Sequence, residues 1–212
     1  MPGGAATMGT LLIVSLLSGC GGTGATQAAP APQSPTTAAG SSIAGGGTEA
    51  ALVPEQNPAG DIPDNQVFVP YTSPSGGYTL QVPEGWARTA TGVGVTFTDK
   101  FNGIAVDATT VPSAPTPQSV QATVVPVLEQ SGKAVQIVQV EQLTLPVGPA
   151  IRLTYTANSD PNPVTGKQVR LENERYLFFK NGTQVSLSLW APQGADNVDQ
   201  WQQIVKSFRW AA

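Results

Sequence analysis

The dipeptide Asn181-Gly182 constrains this chain more than any other feature. It sits between two runs of alternating apolar residues, Lys167 to Lys180 and Thr183 to Trp190. Asn-Gly between such runs is the strongest short-range signal for a two-residue β-hairpin. A two-residue loop also sets the register, pairing Phe179 with Gln184, Phe178 with Val185 and Tyr176 with Leu187. One face then carries Tyr176, Phe178, Val185, Leu187 and Leu189. The other carries Leu177 and Phe179, with Trp190 on the face that Gln184, Ser186 and Ser188 make polar. A strand with large apolar groups on both faces belongs near the centre of a sheet covered on both sides.

The rest of the C-terminal part follows the same logic. Gln66 to Tyr71 and Gly77 to Val82 read as strands. Val93, Val95 and Phe97, a turn at Asp99 to Gly103, and Ile104, Val106 and Ala108 read as a hairpin. Trp86, just past the Val82-Pro83-Glu84-Gly85 turn, is expected to plug one end of the core. Thr116-Pro117 is an N-cap followed by proline at the first helical position. The helix it opens carries Val120, Val124, Val127 and Leu128 on one face, and Pro126 is expected to kink or shorten it. Val135 to Leu143 is a strand whose alternation changes phase near Ile137-Val138, as a bulge would make it. Ile151 to Tyr155 is another strand. Val198, Trp201, Ile204, Val205 and Phe208 form a helical stripe, with Asp196 or a neighbour as the expected cap and Asp196, Gln200, Gln203 and Lys206 facing water. The order is strand, strand, hairpin, helix, strand, strand, hairpin, helix. It predicts an α+β domain over 62–212: an antiparallel sheet of about six to seven strands flanked by helices, an α/β/α sandwich.

The N-terminal part is not a fold. Leu11 to Leu17 is too short to span a bilayer and has the length of a secretory h-region. It runs into Leu16-Leu17-Ser18-Gly19-Cys20, which reads as a lipobox, and Cys20 is the only cysteine of the chain. Residues 1–19 are thus expected to be a signal peptide, and Cys20 to carry a diacylglyceryl anchor on the outer face of the cell membrane. Two acyl chains suffice for stable attachment, at about 0.8 kcal/mol per buried methylene. Residues 20–61 are rich in Gly, Ala, Thr, Ser and Pro and predict a disordered tether with a span of about 35 Å.

Composition narrows the function. The chain has no histidine, so a Ser-His-Asp triad, a Cys-His pair and a His-based zinc site are all impossible. With 10 basic and 14 acidic residues and no basic cluster, nucleic-acid binding has no electrostatic basis. Carboxylates remain as candidate acid/base groups. Asp99, Asp107, Glu172 and Glu174 are the set to consider, and Arg170 and Arg175 are expected to neutralise the last two. Asp196-Asn197-Val198-Asp199 lacks the glycine turn and terminal glutamate of a calcium loop. Asn181-Gly182-Thr183 fits a glycosylation acceptor but is better explained as the hairpin turn. Trp190 and Trp210 are the candidate contacts for a ligand or partner. No catalytic residue, metal site or cofactor is assigned.

Two stretches carry a family resemblance. Tyr78-Thr79-Leu80-Gln81-Val82-Pro83-Glu84-Gly85-Trp86 resembles the opening strand and Pro-x-Gly-Trp turn of PsbP/Mog-like domains. Asp199-Gln200-Trp201-Gln202-Gln203-Ile204-Val205-Lys206-Ser207-Phe208 is similar to their closing helix and its Ser-Phe end. The likeness covers about Val67 to Trp210. With the lipobox, the chain is most similar to the actinobacterial envelope lipoproteins of the LpqN-like group. The resemblance implies an α/β/α sandwich and a binding or accessory role, since the superfamily includes a photosystem subunit and a small-GTPase-binding transport factor. It implies no catalytic motif. The expected function is a non-catalytic, lipid-anchored module that recognises an envelope protein or small ligand. The alternatives are a lipid or small-molecule carrier with a pocket between sheet and helix, and a histidine-independent hydrolase using carboxylates or a Ser-Lys pair.

Overall fold

The structure is a computed structural model and describes residues 49–74, 77–92 and 94–211. The lipobox, Cys20, most of the expected tether and Val93 lie outside the described residues.

Two sheets form. The smaller begins with β1 (Phe68–Thr72) and β2 (Tyr78–Pro83). The larger uses β3 (Ala87–Thr91), β4 (Gly94–Asp99), β5 (Asn102–Thr110), β6 (Gln136–Leu145), β7 (Gly148–Asn158), β8 (Arg170–Lys180) and β9 (Thr183–Pro192). Helices α1 (Pro117–Thr123) and α2 (Val125–Glu129) precede β6. Helix α3 (Val198–Ser207) and the two-residue β10 (Arg209–Trp210) close the chain. The large sheet is antiparallel, in the order β3-β4-β5-β9-β8-β7-β6. The small sheet is β1-β2-β10. The two opening strands therefore stand apart from the seven-stranded sheet and pack over it.

The β8–β9 register is Tyr176↔Leu187, Phe178↔Val185 and Phe179↔Gln184. Asn181 and Gly182 both have positive φ, 50° and 79°, as the type I′ turn that matches strand twist requires. Tyr176, Phe178, Val185, Leu187 and Leu189 join Val95, Phe97, Ile104 and Val106 in one core layer. The small sheet closes this layer with Tyr78, Leu80 and Val82, and α3 with Trp201, Ile204 and Val205. Phe208 sits at its centre, stacked on Phe178 at 4.0 Å and on Tyr78 at 5.8 Å. Burial pushes the Tyr78 hydroxyl pKa up to about 12. Ser207 Oγ accepts the Gln81 amide N–H at 2.8 Å, which ties the helix end to β2.

The opposite face carries Ile151, Leu153, Tyr155, Ala157 and Leu177, covered by α1 and α2 through Val120, Val124, Val125 and Leu128. Thr116 caps α1: its Oγ1 accepts the Ser119 N–H, and Ser119 Oγ accepts the Thr116 N–H. Pro126 has no N–H to continue the helix, so the chain breaks at Val124 and restarts with proline in the first turn of α2. The restart changes the helical phase. Val125 packs inward and Val127 is left exposed, against the stripe expected from sequence. The register slips between Ile137 and Gln139, where the phase change called for a bulge, so that Ile137 and Val140 both face the helices.

Asn197, the neighbour of Asp196, holds the cap position of the last helix and makes no side-chain capping bond. Two other details differ from expectation. Val198 is exposed and Gln200 is buried, its amide donating to Asp64. The fold also begins before Ile62. Asn197 Oδ1 accepts the Ile62 N–H at 2.6 Å, and its Nδ2 and that of Asn102 donate to the Gly60 carbonyl. Residues from Glu49 onward are bonded to the sheet as well. The tether assigned to 20–61 thus gives up its last stretch to the domain.

Candidate functional site

The cleft lies on the α1/α2 face, where cross-strand register lines up four residues. Gly103 of β5 opposes Trp190 of β9, Trp190 opposes Asn173 of β8, and Asn173 opposes Tyr155 of β7. The indole lies on the glycine: a Cβ at Gly103 would stand 1.9 Å from Trp190 Cζ2. Around this row opens a cleft of about 390 Å³. Tyr155, Ala157, Leu171 and Trp190 form its floor, Leu128 and Val135 one wall, and Phe101 another. The rim is polar, with Lys100, Lys133, Asn158, Ser159 and Asp160.

The electrostatics of the rim are largely settled within the chain. Lys133 Nζ lies 2.8 Å from Asp160 and 3.6 Å from Glu49. The bond to Asp160 is the main reason its pKa is raised. Burial raises the Tyr155 hydroxyl pKa, and the nearby Arg175 charge moderates the shift. Asn158 is 4% exposed and fully engaged: Oδ1 accepts from Leu52 N–H and an Arg170 N–H, and Nδ2 donates to Glu49 and the Ala50 carbonyl. Arg170 is 3% exposed, and burial lowers its pKa. Its hydrogen-bond partners are neutral oxygens of Ala134, Gln136, Thr156 and Asn158.

The sequence-derived candidates separate. Trp190 lines the cleft. Trp210 is on the other side of the large sheet, in β10 beside Tyr78, packed edge-on against Phe208 at 5.4 Å. Trp86 is half-buried against the same core layer. Glu172 and Glu174 face α3, in a pit of about 140 Å³ shared with Arg152, Tyr176 and Trp201. Asp99 and Asp107 do not join them, because β9 separates β5 from β8. The neutralising cation is also different from the expected one. Arg152 of β7 bridges Glu141 and Glu174, and Glu174 accepts the Tyr176 hydroxyl. Alternation turns Arg175 to the other face, where it donates to Ser188, and Arg170 is used up at the strand end. For Arg152, burial lowers the pKa, but Glu141, Tyr176 and Glu174 outweigh it and the net shift is upward. Burial first, and Glu174 second, raise the pKa of Glu172. Among the described residues no three metal-ligating side chains converge.

No protein-family model matches the sequence, and no curated protein matches it. Solved structures do. Cyanobacterial PsbP (CyanoP) from Synechocystis sp. PCC 6803 superposes with a TM-score of 0.53 at 15% identity, over 72% of this chain and 98% of that one. The chain has the PsbP/Mog-like fold. The Ran-binding protein Mog1p of Saccharomyces cerevisiae gives a TM-score of 0.47 at 15% identity, over 68% of this chain and 96% of its own. Within this PsbP/Mog-like frame, the cleft is made by the four-strand row and the short α1–α2 pair. Sequence reasoning found Trp190 by alternation. It missed Tyr155, Asn173 and Gly103, whose meeting depends on the pairing of β5, β9, β8 and β7.

Proposed function

We propose that the protein is a non-catalytic binding or accessory module, held by an acylated Cys20 on the extracytoplasmic face of a cell membrane, with the Trp190 cleft as its recognition site. The observation that carries this reading is the cleft itself: an open, apolar, aromatic floor whose rim lysine Lys133 is already paired with Asp160. An aromatic-floored concavity with few polar groups suits binding. Glu172 and Glu174 lie across the sheet, and Glu174 is held by Arg152 and Tyr176. The PsbP and Mog1p likenesses support an accessory role by fold analogy alone. The lipobox supports the membrane site, and supports a likeness to envelope lipoproteins of the LpqN-like group.

The test is crosslinking of the full chain in intact cells with partners identified by mass spectrometry, beside a Cys20→Ala control. Capture of one envelope protein that disappears in the control is the expected result. Fractionation of the wild type away from membranes would refute the anchor, and turnover of an ester or glycan without any capture would refute the module.

The volume of the cleft favours a second reading, a carrier of a small molecule or lipid between sheet and helix. Native mass spectrometry separates the two. A carrier retains a non-covalent mass that Trp190→Ala loses, and an accessory module retains none.

A further inference from the structure

The stretch that ties the tether to the domain is bound as a peptide ligand would be. Glu49 donates its N–H to the Gly132 carbonyl at 2.8 Å. Its carboxylate meets Asn158 Nδ2 at 3.0 Å, Gln168 Nε2 at 3.4 Å and Lys133 Nζ at 3.6 Å. Asn158 then reads the following backbone at two points, donating to the Ala50 carbonyl at 2.8 Å and accepting the Leu52 N–H at 3.1 Å. Glu55 ends the stretch on Lys167 at 2.7 Å.

The receiving side is built into the fold. Asn158 is anchored at the end of β7, its own N–H on the Lys133 carbonyl. Behind it stands Arg170, a buried guanidinium with no carboxylate among its hydrogen-bond partners. The cation polarises the Asn158 amide by donating to its Oδ1, which strengthens what Nδ2 donates to an anion. A side-chain amide that spans a carbonyl and an N–H two residues apart selects extended backbone. A Lys, an Asn and a Gln converging on one carboxylate select an acidic side chain before that backbone.

We infer that the Gly132–Lys133–Asn158–Gln168 rim is a recognition site for an extended protein segment led by a glutamate, and that Glu49 to Glu55 occupies it in cis as an exchangeable latch. An acidic segment of a partner protein with the same order of groups takes the place of the latch. Exchange frees the chain from Glu49 to Glu55 and lengthens the stretch between Cys20 and the domain.

The test uses the full chain in detergent solution and a fluorescent, N-acetylated heptapeptide of residues 49–55, read by fluorescence polarisation. Wild type, with its latch in place, is compared with Glu49→Ala and Glu49→Gln. Both variants should bind the heptapeptide at concentrations on the order of tenfold below wild type, the scale of a hydrogen bond to a charged group. A heptapeptide with glutamine at its first position should lose that gain, as should Lys133→Met in the Glu49→Ala background. Equal binding to wild type and variants, no binding to any of them, or indifference to the peptide's first residue overturns the inference. Trp190→Phe should leave the titration unchanged, so failure here is distinct from failure of the cleft reading.

Discussion

Gly103→Ala tests the construction of the cleft floor. The added methyl would stand 1.9, 2.2 and 2.5 Å from three indole atoms of Trp190. Ordinary carbon contacts are about 3.5–4.0 Å, so the ring must retreat by about 1.5–2 Å. Overpacking of this kind destabilises by about 1–3 kcal/mol, and removing a glycine from the unfolded chain returns about 0.4–1 kcal/mol. The net loss is about 1–2 kcal/mol, a fall in Tm of about 2–8 °C for a domain of this size. Thermal melts of a double-mutant cycle with Trp190→Ala assign the effect. With the indole gone, Gly103→Ala should be neutral or slightly stabilising, giving a coupling of about 1 kcal/mol or more between the two sites. The indole N–H resonance of Trp190 should also shift in Gly103→Ala. Additive single changes would show that the indole does not rest on Gly103, and the floor as described would be wrong.

Phe208→Ala removes the ring stacked between Tyr78 and Phe178 and should destabilise by about 3–5 kcal/mol, read by urea unfolding. Asn197→Ala strips the partner of the Ile62 N–H and one of the two donors to the Gly60 carbonyl. It should cost about 2 kcal/mol and speed proteolysis between residues 49 and 62, while unchanged cleavage there would contradict the account of this anchoring. Glu172 has a folded-state pKa raised above its unfolded value by burial and by Glu174. Its favourable contribution is therefore complete below the unfolded pKa and is lost as pH rises through the folded one. Glu172→Gln should raise Tm by about 1–4 °C at pH 7 and leave it unchanged near pH 3.5, and an equal effect at both would refute the assignment.

What the chain declares by itself is local. The Asn181-Gly182 loop sets a register that the β8–β9 pairing keeps pair by pair, because two residues leave only one way to close the hairpin. The Trp201–Ile204–Val205 stripe reads directly as a helix face. β3 escapes, since Ala87-Arg88-Thr89-Ala90-Thr91 is exposed throughout and shows no alternation. The separate small sheet escapes too, because β2 is completed by only two residues at the far end of the chain. Arg152 as the partner of Glu174 follows from β7–β8 pairing, not from spacing along β8. The Glu49 latch is hidden in composition. The residues around it are Gly, Thr, Ala, Leu, Val and Pro, and bonds from the stretch reach Asn158, more than a hundred positions away. Trp190 lies between these cases: alternation puts it opposite Leu189, but only the register across four strands makes it a floor.

The most direct test of the binding-module account is a photo-crosslinking amino acid placed at two positions of the full chain in living cells. Ser131 is exposed on the cleft wall, and Asp199 is exposed on α3 across the sheet. The account predicts one discrete, reproducible adduct from position 131, absent at position 199 and lost when Trp190 is changed to Ala. An adduct of the same identity from both positions, or from position 199 alone, would contradict it.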